Sequence, residues 1–124
     1  MSTQITDRPP TERTAFRRAC EARRRNEIEF ETTANIRDLP TGHYRAEADV
    51  VHLFSTDIDV LAAWLYELGG TVTTHDTGHG VTVWTLHTRT DVDPERVACP
   101  VLVSVPLVTG ELVMHEIADA AVTA

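Results

Sequence analysis

Apolar and polar positions recur along this chain with two periods, and each change of period marks an element. In "TDIDVLAAWLYELG", residues 56–69, the apolar side chains Ile58, Leu61, Ala62, Leu65 and Leu68 follow the 3.6-residue period of a helix with one face inward. Thr56 stands where an N-cap belongs, and Asp57 and Asp59 fall in the first turn, where the helix dipole favours anions. Gly69 is a natural stop. Upstream, "HYRAEADVVHLF", residues 43–54, alternates with period two. Tyr44, Ala46, Ala48, Val50, His52 and Phe54 share one side, with Arg45, Glu47 and Asp49 on the other. That predicts one long strand with His52 on its inward face, covered on both sides near Val51 and Leu53.

Downstream, "TVTTH" (71–75) and "GVTVWTLHTRT" (80–90) read as strands around a turn at Asp76–Gly80, with the β-branched bias that strands prefer. "PVLVSVPLV" (100–108) reads as another strand, whose later half Pro106 confines to an edge or an end. Between them "DVDPERV" (91–97) is a loop in which Asp93 and Pro94 can open one helical turn. "ELVMHEIADAAV" (111–122) fits both periods. Val113, His115 and Ile117 make a strand, Val113, Ile117 and Ala121 a helix, and the expectation is a strand giving way to a helical or frayed end.

The first third is different. No Gly or Pro interrupts Thr11–Asp38, and helix formers dominate it. Its apolar positions (Phe16, Ala19, Ala22, Ile28, Phe30, Ala34) are thin. Arg17/Glu21, Glu21/Arg25, Arg23/Glu27 and Arg25/Glu29 stand at helical pairing distance. This describes a long, mostly solvated helix, or two with a break near Asn26. The expected organisation is a tail (1–10), a charged helical arm (11–38), a hinge (39–43) and a small α+β domain (44–124). In that domain one main helix packs on a mostly antiparallel sheet of four to five strands, two layers in all. Its first half resembles the βαβ arrangement of a split ferredoxin-like fold, a likeness that carries no function.

Composition narrows the function classes. With 124 residues, 42% of them hydrophobic, the chain has room for one folded domain. No apolar run approaches a membrane span, and "MSTQITDRPPTERTAFRR" has no apolar core like that of a signal peptide, so a cytosolic location is expected. Cys20 and Cys99 have no CxxC spacing and read as two reduced thiols. All eleven cationic side chains are arginine, which a GC-rich coding bias explains without any function. Residues 1–25 hold seven arginines against Asp7, Glu12 and Glu21, a net +4; residues 26–124 hold four against sixteen acids, a net −12. The sum of −8 disfavours a general nucleic-acid coat.

Candidate chemistry is sparse. "TTHDTGHGVTVW", residues 73–84, brings His75, Asp76 and His79 together in sequence, and His52, His87 or His115 could complete a metal site from neighbouring strands. Against this, Asp–Thr–Gly is ordinary turn chemistry and no second ligand pair is spaced to match, so a hairpin turn is the expectation. Ser55 and Ser104 lie in no nucleophile elbow, and no phosphate-loop or hydrolase motif appears, so no catalytic residue and no cofactor is assigned. Trp64 and Trp84 read as core or core-edge aromatics. The run Arg17, Arg18, Arg23, Arg24, Arg25 suits either an acidic protein partner or phosphates, although Glu21, Glu27 and Glu29 beside it oppose the latter. The expected function is that of a small non-enzymatic cytosolic accessory or regulatory protein, acting on a protein partner or as a homodimer through its helical arm. A nucleic-acid-binding regulator comes second, and a metal-binding protein or enzyme using His75, Asp76 and His79 third.

Overall fold

The computed structural model describes residues 10–90 and 98–121; the amino-terminal tail, the 91–97 segment with its expected helical turn, and residues 122–124 lie outside the described residues. Helix α1 (Pro10–Arg37) leads into strands β1 (His43–Ala46) and β2 (Val51–Phe54) and helix α2 (Ile58–Leu68). Strands β3 (Thr71–Asp76), β4 (Val81–Arg89) and β5 (Pro100–Val108) follow, then helix α3 (His115–Ala120). The strands form one open sheet in the order β1-β2-β5-β4-β3, antiparallel at every junction except the parallel β2–β5 pair. This is the α+β architecture the periodicities predict, with five strands. The ferredoxin-like likeness does not extend to strand order: both β5 and β4 stand between β2 and β3, the two strands that α2 connects.

The expected long strand over residues 43–54 is instead a hairpin. Ala46 pairs with Val51 and Tyr44 with Leu53, so the chain reverses over Glu47–Val50. The reversal shifts the alternation by one residue: Tyr44 and Ala46 face the helices before the turn, and Val51 and Leu53 after it. His52 and Phe54 therefore point to the opposite face, not inward as the unbroken period implied. The turn has no Gly or Pro. It is held by Asn26 in mid-α1, whose side-chain amide donates to the carbonyls of Glu47 and Ala48 at 3.0 Å each. Asn26 thus marks a tertiary clamp and not a helix break, since α1 runs unbroken through it.

The lower half of α1 belongs to the core. Phe30 is fully buried, stacks on Trp64 of α2 at 5.2 Å and meets Tyr44 of β1 at 4.6 Å. The helix ends with Asp38 in the left-handed region (φ 53), and the Leu39 N–H bonds the carbonyl of Ala34 at 2.8 Å. Leu39 is buried, and the carbonyl of Pro40 accepts the indole N–H of Trp64 at 2.8 Å, so 39–40 is anchored where a hinge was expected. Helix α2 is capped by Asp57, one residue later than expected, its carboxylate accepting the N–H of Asp59. Leu61 and Trp64 are its buried residues.

The carboxyl end corrects the last expectation. No strand forms after residue 108 among the described residues; α3 forms instead, burying Ile117 beside α2 and β3, and Ala121 bridges Val72. Val72, Leu86, Val101, Val103 and Val105 line the inner face of the sheet beneath these helices. Among the described residues, no helix is long and apolar enough to cross a membrane. All three helices share one face of the sheet. The other face is left without a described layer.

Candidate functional site

The segment 75–80 is a hairpin turn. Asp76 ends β3 and accepts the N–H of Gly78 at 2.9 Å. The Thr77 hydroxyl donates to the carbonyl of Val81 and accepts the N–H of His79. His75 and Asp76 are successive strand residues and so project to opposite faces of the sheet, while His79 lies in the turn itself. Among the described residues no three His, Cys, Asp or Glu side chains converge to hold a metal ion.

The arginines of α1 stand in solvent. Residues 11–21 are exposed without exception, as are Arg23, Arg24 and Arg25. Among the described residues, none of Arg17, Arg18, Arg23, Arg24 and Arg25 comes within ion-pair distance of an acid, so the expected pairs along the helix do not close. Arg37–Glu67, at 3.3 Å, is an ion pair that ties α1 to the body. Apolar and small residues continue the docking stripe upward: Ala15, Ala19 and Ala22 lead at four- and three-residue steps into Asn26, Phe30, Thr33 and Arg37. Phe16, beside that stripe, is 63% exposed.

The surface that the sequence reading missed is the uncovered face of the sheet. Period two assigns to it His43 and Arg45 of β1, His52 and Phe54 of β2, His75 of β3, Val83, Thr85, His87 and Arg89 of β4, and Leu102, Ser104 and Pro106 of β5. Between Phe54, Val83, Pro106, Ser104 and His43 lies an open concavity of about 730 Å³, also lined by Ser55 and Thr56 as the chain leaves β2. Its size falls in the range of ligand-binding clefts. It exists because β2 ends at Phe54 while β5 runs on to Val108. The Ser55 N–H bonds the carbonyl of Ser104, and two residues on, Pro106 offers no N–H to that side, so the ladder stops there.

Two imidazoles flank Phe54: His52 stacks on it at 6.0 Å and His43 tilts against it at 6.1 Å. His52 is also bonded to Glu47 at 3.0 Å, and Glu47 to Arg45 at 3.2 Å. His87 meets the Thr73 hydroxyl at 2.8 Å, a cross-strand hydroxyl–imidazole contact with no carboxylate bonded to the ring among the described residues. Ser104 is bonded to Thr85, and Ser55 accepts the N–H of Asp57. Of the thiols, Cys20 is exposed and Cys99 buried. Burial, and next the nearby Glu29, push the Cys99 thiol up to about 11. Burial also raises the Tyr44 phenol above its ordinary value, with a hydrogen bond to Glu31 adding to it. In Val83-Trp84-Thr85-Leu86-His87 the inward positions Trp84 and Leu86 are apolar and the outward ones mix Val83 with Thr85 and His87, a sign in the sequence that this sheet has two distinct faces. No protein-family model matches the chain, and neither a curated protein nor a solved structure does.

Proposed function

We propose that this chain is a non-enzymatic cytosolic accessory or regulatory protein that works through protein–protein contacts, with the upper half of α1 as its contact element. The observation that carries this reading is that every residue from 11 to 21 is exposed, on a helix whose lower half is built into the core. Helical segments of that length are marginal in water without packing. A partner laid along Ala15, Phe16, Ala19 and Ala22 supplies the packing. The charge pattern names its character: a +4 amino-terminal fifth complements an acidic surface, either on another protein or on the −12 remainder of a second copy. Among the described residues, removing residues 1–21 spares every buried one, so it separates contact from folding. Light scattering of the full chain gives a dimer that the truncated chain does not form, or affinity capture from the source organism recovers a partner that the truncated chain loses. A full chain that is strictly monomeric, with the same captured proteins as its truncated form, overturns the proposal.

Nucleic-acid binding is the second reading, favoured by the absence of ion pairs on Arg17, Arg18, Arg23, Arg24 and Arg25 among the described residues. It is weakened by Glu21, which stands three or four residues from Arg17, Arg18, Arg24 and Arg25 at once. Retention on DNA or RNA that falls steeply with salt, and is lost on replacing Arg23, Arg24 and Arg25, would support it.

A further inference from the structure

The uncovered sheet face differs in charge from the rest of the molecule. The chain has nineteen acidic residues, yet no strand position facing this side is Asp or Glu. The same positions include Arg45, Arg89 and the four histidines 43, 52, 75 and 87. Glu47 reaches the face from the β1–β2 turn and is occupied by Arg45 and His52. The centre is apolar and accessible: Phe54 is 42% exposed, and Val83 and Pro106 line the 730 Å³ concavity beside it.

We infer that this face binds an acidic amphipathic peptide segment of a partner protein. Its apolar side chains enter the concavity at Phe54, Val83 and Pro106, and its carboxylates reach Arg89 and accept hydrogen bonds from the imidazole N–H groups of the face. This surface is distinct from the α1 arm, and the inference stands whether or not the arm makes contacts of its own.

Charge complementarity selects this occupant over two others. A second copy does not fit. Face-to-face pairing sets Arg45 and Arg89 against the same acid-free strand positions of the other copy, and stacking this face on the helical layer of the next copy is head-to-tail, so it chains on and does not close as a dimer. A nucleic acid fits less well. Phe54 is the sole aromatic residue besides histidine on this face among the described residues, whereas base stacking uses a series of platforms.

The test is fluorescence anisotropy on the full chain with a labelled twelve-residue peptide of alternating Leu and Glu. Matched probes carry Lys in place of Glu or consist of a thymidine dodecanucleotide. The acidic peptide binds at least tenfold tighter than either. Val83→Glu and Arg89→Glu each weaken it tenfold or more, and circular dichroism shows both variants folded. Glu116→Gln on the helical layer and removal of residues 1–21 leave it unchanged, which keeps this result separate from that of the arm. Equal or tighter binding of the oligonucleotide or the Lys peptide overturns the inference. So does indifference to both face substitutions, or a dimer that Val83→Glu dissociates.

Discussion

The side-chain amide of Asn26 donates to the carbonyl of Glu47 at 3.0 Å, across 21 residues of sequence, and to that of Ala48 at the same distance. One polar side chain of a helix thereby fixes where the first hairpin turns. Through that turn it also decides which strand residues look inward. Asn26→Ala leaves two carbonyls of the turn without this donor, and the expected loss is about 1–3 kcal/mol in a denaturant titration. A loss below about 0.5 kcal/mol, the range of ordinary surface changes, would remove the clamp from the account.

Position along α1 sorts its two phenylalanines. Phe30 is fully buried against Trp64 and Tyr44, whereas Phe16 is 63% exposed. Phe30→Ala is expected to cost about 3–5 kcal/mol and Phe16→Ala less than about 0.5 kcal/mol in the isolated chain. Urea midpoints of the two variants measure both. Similar losses would mean that the upper half of the helix is packed by its own chain.

The same geometry explains what was legible beforehand. Helix α2 could be read from residues 56–69 because its stripe, its first-turn acids and Gly69 all lie within the segment. The cap moved by one residue, to Asp57, and the fully buried positions are Leu61 and Trp64, with Ile58, Ala62, Leu65 and Leu68 of the stripe only partly buried. The hairpin at 43–54 could not be read, because Glu-Ala-Asp-Val carries no glycine or proline and its clamp comes from a distant helix. An unbroken period two places His52 and Phe54 on the wrong face, and the concavity beside them leaves no sign in the pattern. At the carboxyl end both periods fit the same residues, and packing of Ile117 against α2 and β3 decides for the helix.

The thiols give a chemical and a pH test. Cys20 is exposed and Cys99 buried, so a thiol reagent at pH 8 modifies one group per native chain and two after denaturation. The native Cys99 pKa is raised from 9.0 to about 11, so the folded state holds this proton more tightly than the unfolded state does. Its contribution to stability is fully present below about pH 9 and is lost as pH rises to about 11. Tyr44, raised above 10.0, adds a loss of the same sign. Cys99→Ala isolates the thiol: between pH 8 and pH 11 its melting temperature falls less than that of the unchanged chain. Parallel curves would contradict the assignment.

Amide hydrogen exchange along α1 tests most directly whether the upper half of the helix serves contact and the lower half serves the fold. The account predicts strong protection of residues 26–37 under all conditions, since they include Phe30 and Ala34 of the core. Residues 12–21 exchange rapidly in the dilute monomer. They gain protection as the assembled species forms, whether by raising the protein concentration or by adding the captured partner. Protection of 12–21 equal to that of 26–37 in a strict monomer, unchanged by concentration or partner, would contradict it.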